Sequence, residues 1–349
     1  MDAALADQLH AEENVSQTAP GVTRRLLAPL TLVTLLTSCA TQTFDLQGHR
    51  GARGLAPENT LPAFAAALSL GVTTLELDVG ITRDDVIVVS HDSHLNPDIV
   101  RSNGGWLTAK GPTIRSLEFR ELQRYDVGRI NPDSRYAKTQ PEQQPVDGTR
   151  IPRLADVFAL AQRSGNRDIR FNIETKLSPL SPGDTLPPDT FADRLVVMIY
   201  ANGMQRQVTI QSFDWRTLQR VQQVAPEIPT VYLTAQQNFL DNIAADKPEG
   251  SPWTAGIQAR DHRGSVARMV SAAGGRVWSP FFRDVDRAKV DEAHALGLRV
   301  VVWTVNVPDD IAKMLDLGVD GIISDRPDVV RTAMAARGMP LPKASPVRP

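Results

Sequence analysis

Residues 44–79, "FDLQGHRGARGLAPENTLPAFAAALSLGVTTLELDV", decide the fold. The run "FDLQG" (44–48) reads as a strand, and the chain then turns through glycines and Pro57 before Thr60 opens a helix. Leu61, Phe64, Ala65 and Leu68 recur at the helical period, and Gly71 closes the helix. "TTLELDV" (73–79) then returns as a second strand, completing a strand–helix–strand unit. The same alternation continues through strand candidates "VIVVS" (86–90), "IRFNIE" (169–174), "VTIQS" (208–212), "TVYLT" (230–234), "RVWSP" (276–280), "RVVVWTV" (299–305) and "GIISD" (321–325). Helical patterns such as "RLADVFALAQRSG", "FADRLVVMIYANG", "WRTLQRVQQV", "KVDEAHALG" and "IAKMLDLG" lie between them. Repeated units with buried strands and no second composition zone predict an α/β fold, a closed (β/α)8 TIM barrel. Nine strand candidates compete for its eight places.

The chain has 349 residues, 42% of them hydrophobic, enough to bury a full core. With 38 basic and 40 acidic residues the formal charge is −2. No basic footprint for nucleic acid follows, and an anionic ligand has to be held by a local site. No protein partner is predicted.

The amino end reads as an address. Arg24 and Arg25 precede "LLAPLTLVTLLTS", which suits the core of a secretory signal and is short for a bilayer span. It ends at Cys39, the only cysteine, so no disulfide forms within the chain. "LTSC" (36–39) resembles the bacterial lipobox, in which cleavage before the cysteine leaves it lipidated. The expected organisation is a signal peptide with an extended head over 1–38, a lipidated tether over 39–43, a barrel domain over 44–335 and a tail over 336–349. Export to the periplasm or cell envelope and membrane association through Cys39 follow. The polar lead is long for a signal, so either translation starts nearer Val22 or the signal carries an extended head.

In a barrel of this kind, polar residues at the carboxyl ends of strands meet the substrate. By that rule the first strand delivers His49 and Arg50. Glu76 and Asp78, two apart on one face of a strand, replace the aliphatic residues expected inside a barrel. Such carboxylates repel one another unless a cation sits between them. "VVSHD" delivers His91 and Asp92, "NIETK" delivers Glu174 and Lys176, and Gln211 and Ser212 lie nearby. Glu76, Asp78 and Glu174 are hard oxygen ligands suited to one divalent cation, Ca2+ or Mg2+. Two histidines suit a base and an acid on opposite sides of a reacting centre, with Arg50 and Lys176 supplying positive charge. A metal, a base, an acid and two cations are what in-line displacement at a phosphodiester requires.

"HRG" with "PENT", then "ELDV", "HD", "IETK", "SF", "WTVN" and "SDRP" occur in the order seen in the glycerophosphodiester phosphodiesterase family, which the chain resembles from Phe44 to about Val330. The resemblance implies His49 and His91 as the catalytic pair and Glu76, Asp78 and Glu174 as metal ligands. It also implies Arg50 and Lys176 as phosphate-holding groups, and Trp303 beside the site. The expected reaction is hydrolysis of glycerophosphodiesters to glycerol 3-phosphate and an alcohol. Gln211 is a further substrate-binding candidate, and Glu58 stands between capping the helix and touching the site. His94 and His294 read as surface residues, and His262 has no evident partner.

Residues 95–150 and 235–268 are polar, longer than barrel connections need, and expected to be loop insertions on the active face, serving as lid and alcohol pocket. Two other functions stand beside the main one. A barrel phosphodiesterase acting on lysophospholipids in the membrane would need an apolar wedge, for which "GGWL" (104–107) is the only candidate in the first insertion. A silent binding lipoprotein would have lost a histidine or a carboxylate, and none is missing.

Overall fold

The computed structural model describes residues 43–349; the expected signal, Cys39 and most of the tether lie outside the described residues. Eight parallel strands close into a barrel: Asp45–Gly48, Thr74–Ile81, Arg170–Thr175, Val208–Ser212, Thr230–Thr234, Val277–Pro280, Arg299–Val302 and Gly321–Ser324. Closure is direct, because the first strand pairs with both the last (Gly48 opposite Ser324) and the second (Gly48 opposite Leu75). A helix of seven or more residues follows each strand or its loop, the first being Leu61–Leu70 and the last Pro327–Ala336. The helices start where side chains supply the missing acceptors: Thr60, Asp214, Ser265 and Asp286 each accept from a backbone amide of the first turn.

The ninth candidate finds its place outside the barrel wall. Ile87–Val89 pairs antiparallel with the upper half of the second strand, Val79 facing Val89 and Ile81 facing Ile87. At eight residues the second strand overshoots the rim, and the chain folds back down along it. This return brings Ser90 to the level of Asp78, whose carbonyl it bonds, and so sets His91 at the mouth. His91 therefore reaches the site from an antiparallel return and not from a barrel strand. A short apolar run reads the same in either role.

The barrel interior is divided. On one side Val231, Val277, Val301 and Ile323 pack as an apolar plug under Trp303. On the other, buried amides and acids link strand to strand: Gln47 donates to Asp45, Asn172 to Gln47 and Gln211, and Gln211 to Glu76. Every amide in this ladder has a partner, so burying it avoids the penalty of lost hydration. The main core lies between strands and helices, with Phe64, Phe158, Phe171, Phe191 and Trp215 fully buried.

The first insertion has a core of its own, built from Val88, Leu95, Val100, Ile114, Leu122 and Ile151. Trp106, in the small hairpin of that insertion, lies under the Arg101 guanidinium at 5.3 Å, and Leu107 packs on the same small core. Within "GGWL", Leu107 therefore packs inward, while Trp106 stays half-buried against Arg101. Residues 134–144 cross the mouth as a strap: Gln140 donates to Asp325, Gln143 to the Arg53 carbonyl, and the Gln144 amide to Leu55. Beyond the last helix the tail folds back, with Ser345 bonded to the Leu68 carbonyl.

Candidate active site

The turn after the first strand aims the site's first two groups. Arg50 and Gly51 adopt left-handed backbone angles, φ +50° and +87°, and a Cβ on Gly51 would lie 2.6 Å from the Ala63 backbone. The sharp turn points the Arg50 amide at the Glu76 carboxylate, 2.8 Å away. The Arg50 guanidinium reaches Glu58 at 2.7 Å and Asp78 at 3.4 Å. Thr60 is the helix cap, while Glu58 and Asn59 face the site: Asn59 donates to Asp78 at 2.9 Å, and Glu58 accepts from Arg50 and from the Tyr136 hydroxyl.

Glu76, Asp78 and Glu174 meet inside the barrel mouth. Asp78 and Glu174 are opposite one another on adjacent strands, and Glu76 sits one inward-facing position below. One oxygen from each lies within 4.8 Å of the other two, and all three residues are buried. Burial, with the neighbouring carboxylates, pushes Glu76 well above the usual carboxylate range and Glu174 up to about 7, against the pull of Lys176. Burial also works against Asp78, but His91, Arg50 and Lys176 hold it ionised. Asp78 Oδ1 is buried without a hydrogen-bond partner, although Lys176 lies 3.7 Å away. Clustered carboxylates with an unused buried oxygen fit a divalent cation with a hard oxygen shell. Lys176 itself is bonded to Glu174 at 2.7 Å.

The two histidines share one design. His49 Nδ1 is 2.6 Å from Asp325, leaving Nε2 turned toward the carboxylates, 3.9 Å from Glu76. His91 Nδ1 is 2.9 Å from Asp92. A carboxylate on Nδ1 fixes the ring and its tautomer and frees Nε2 for proton transfer. Burial, with Arg53 beside it and against the attraction of Asp325, pushes His49 down to about 4, so it is neutral at pH 7. Burial, with Arg50 and Lys176 as neighbours, also lowers His91. Asp325 is the hub of its side of the mouth, accepting from Arg53 at 2.6 Å, Gln140 at 3.0 Å and Asn306 at 2.8 Å.

All the sequence-nominated residues within the described chain converge here, including Gln211, which holds Glu76 at 2.7 Å, and Trp303, whose ring stands edge-on to Phe213 at 5.3 Å. His94 turns toward Asp184, 3.6 Å away, and His294 pairs with Asp320 at the surface. Sequence reasoning assigned no role to Asp325, Asp92, Arg53 or Tyr136. Asp325 ends the last strand, so the strand-end rule that selected His49 would have selected it too. Tyr136 lies in a polar loop and carries no comparable signal.

A barrel mouth that sets two carboxylate-braced imidazoles around three clustered acids and two cations is built for phosphoryl chemistry, and it defines a phosphodiesterase barrel. The glycerophosphoryl diester phosphodiesterase family model matches residues 49–329, and the chain belongs to that family. A glycerophosphodiester phosphodiesterase of Caldanaerobacter subterraneus is 27% identical over 282 residues, covering 81% of this chain and 94% of that protein. A crystal structure of a Silicibacter pomeroyi protein assigned as a glycerophosphoryl diester phosphodiesterase superposes with a TM-score of 0.75 at 33% identity, covering 86% of this chain and 96% of the other. An Oleispira antarctica phosphodiesterase, solved with the product sn-glycerol-3-phosphate, shares the fold at a TM-score of 0.60 and 21% identity, over 83% of this chain and 96% of its own. The chain is thus a phosphoric diester hydrolase of the glycerophosphodiester phosphodiesterase class.

Proposed function

We propose that the protein hydrolyses glycerophosphodiesters such as glycerophosphocholine and glycerophosphoethanolamine to sn-glycerol 3-phosphate and the free alcohol, with a divalent cation, Ca2+ or Mg2+, held by Glu76, Asp78 and Glu174. The observation that carries this reading is the placement of His49 and His91 around the three-carboxylate cluster, each braced at Nδ1 by its own acid. The product complex of the Oleispira relative supports the glycerol 3-phosphate half of it. When bound, the cation would neutralise the carboxylates and polarise the phosphoryl oxygens.

The chain's own groups do the rest. Arg50 and Lys176 hold the phosphate by charge, and Trp303 and Phe213 offer ring surface to the carbons beside it. His49, neutral at pH 7, takes the proton of the attacking hydroxyl at Nε2, either water's or the adjacent hydroxyl of glycerol, whose cyclic phosphate water then opens to sn-glycerol 3-phosphate. His91 gives a proton to the departing alcohol oxygen as the phosphorus–oxygen bond breaks. The negative charge of a bound phosphodiester opposes the neighbours that lower His91 in the free protein and keeps it a proton donor. Asp325 and Asp92 hold the rings in register.

The test is incubation with glycerophosphocholine in EDTA, Ca2+ or Mg2+, scoring glycerol 3-phosphate and choline separately. Equimolar release of both, only with a cation, is expected. Phosphocholine and glycerol, or full turnover in EDTA, would overturn it.

Export and lipidation at Cys39 belong to the same proposal, resting on the "LTSC" sequence. Cys39→Ser should move the protein from the membrane to the soluble fraction at unchanged specific activity. Mass spectrometry of the mature amino end checks it, an unmodified terminus elsewhere being the contrary result.

A further inference from the structure

The two ends of the barrel differ in charge. The mouth is built by the loops that follow the strands, and the opposite end, the foot, by the turns that lead from each helix into the next strand and by the tail after Ala336. Those turns and the tail carry six Lys or Arg against three Asp or Glu, in a chain whose formal charge is −2. The excess is gathered on one side. Arg167 and Arg206 stand in the turns before the third and fourth barrel strands, and Arg163 ends the helix that leads into the first of these turns. The tail brings Lys343 and Arg348 to the same side, because the Ser345 amide donates to the Leu68 carbonyl at 2.8 Å and its hydroxyl accepts from Asn166 at 3.4 Å. Arg337 is paired with Asp316 at 3.1 Å, whereas the other five are exposed and, among the described residues, have no ion-pair partner. Asp168 is the one acid in the turns on this side. At the mouth, by contrast, Arg129 and Arg153 are neutralised by Asp147 and Asp156, each at 2.7 Å.

Apolar groups accompany these cations. Val197 is 67% exposed and Tyr200 42% exposed in the last turns of the helix Pro188–Ala201, Val224 ends the helix after it, and Leu341 stands exposed in the tail. Cations interspersed with a tyrosine and aliphatic side chains match the headgroup layer of an anionic bilayer, where phosphates take the charge and the apolar groups sit between headgroups. The first strand also starts on this side: Arg170, at the base of the third strand, meets Asp45 at 3.0 Å, and the Thr73 hydroxyl donates to the Phe44 carbonyl at 3.4 Å. Cys39 stands six positions before Asp45. A chain of that length spans at most about 20 Å, so a lipid on Cys39 keeps this end of the barrel close to the membrane.

We infer that the foot, on the side of Arg163, Arg167, Arg206, Lys343 and Arg348, docks on an anionic phospholipid bilayer and holds the mouth facing away from it. The inference rests on the proposed export and Cys39 anchor for its setting and on the charges of the foot for the orientation. Its consequence is that substrate enters from the aqueous side, as a water-soluble diester does. A lysophospholipid in the same membrane would lie at the wrong end of the barrel.

The test uses the full chain with Cys39→Ser, so that binding does not depend on the anchor. A single thiol carrying a fluorophore is placed at the foot by Ala201→Cys or at the mouth by Val307→Cys, both exposed positions. Vesicles of phosphatidylcholine, alone or mixed with phosphatidylglycerol, carry a headgroup quencher. On the mixed vesicles the foot probe should be quenched, less so in high salt, and the mouth probe should not. Arg163→Gln, Arg167→Gln and Arg206→Gln together should lower partitioning onto those vesicles on the order of 10²-fold, at unchanged melting midpoint and turnover. Quenching of the mouth probe, equal binding to both kinds of vesicle, or partitioning unmoved by the triple substitution overturns the inference. Lipidation is read separately, from the mass of the mature amino end: an unmodified Cys39 defeats the anchor and leaves the vesicle result to decide the docking face.

Discussion

Removal of the divalent cation should destabilise this protein by an amount that grows with pH. In the metal-free fold, burial beside the other acids pushes Glu174 from 4.5 up to about 7, and Glu76 is pushed up as well. A carboxyl whose folded value lies above its unfolded one has its full stability below the unfolded value, and loses it as the pH rises through the folded value. The loss therefore builds between pH 4.5 and about 7. For the coupled acids this corresponds to a loss on the order of 3 kcal/mol. A bound cation relieves it by supplying the opposite charge. His49 shifts the other way, from 6.5 down to about 4, so it favours stability as pH rises, but this contribution is present with and without the cation and drops out of the difference. The assay is the apparent melting midpoint in EDTA and in excess Ca2+ or Mg2+ at fixed scan rate, from pH 4.5 to 8. The gap should be near zero at the acid end and widen by about 6 °C by pH 7.5. A gap that is flat with pH, or widest in acid, would refute the reasoning, because neutralisation of buried carboxylates could not then be what the cation does.

Two further outcomes follow from the same contacts. Asp325→Asn should lower kcat on the order of 10²–10⁴-fold through loss of ring orientation at His49. Because Asp325 holds the His49 value up against burial and Arg53, the acid limb of the pH–rate profile should move further into acid, which a purely structural defect would not produce. Gly51→Ala should lower stability by about 3 kcal/mol or more, readable in the melting midpoint, since the left-handed turn and the Ala63 backbone at 2.6 Å leave no place for a methyl group.

The barrel was legible because each strand–helix unit carries its own punctuation: Thr60 and Gly71 around the first helix, buried runs for strands, and inward acids at a spacing of two. Which of the nine candidates lies outside the wall was not legible, because periodicity records burial and not direction, and the antiparallel return of "VIVVS" depends on an overshooting second strand that only pairing reveals. The helices at Val266–Ala272 and Pro327–Ala336 were not among the patterns read, the first being seven residues and the second starting inside the "SDRP" motif. Metal ligands and histidines stood out because carboxylates and imidazoles are conspicuous at strand ends. Asp325 follows the same rule and was readable in "GIISD". The strap contacts of Tyr136 and Gln140 were not, since they join residues 78 and 185 positions apart through a loop of unremarkable polar composition.

The central claim, that His49 and His91 divide base and acid work at one phosphodiester, is tested most directly by turnover of His49→Ala and His91→Ala on two substrates, glycerophosphocholine and a glycerophosphodiester with a nitrophenolate leaving group. On glycerophosphocholine each variant should lose on the order of 10²–10⁴-fold in kcat with cation affinity little changed. On the nitrophenyl ester, which departs without a proton, His91→Ala should recover most of its turnover and His49→Ala should not. Near-normal turnover of glycerophosphocholine by both variants would contradict the two-histidine account.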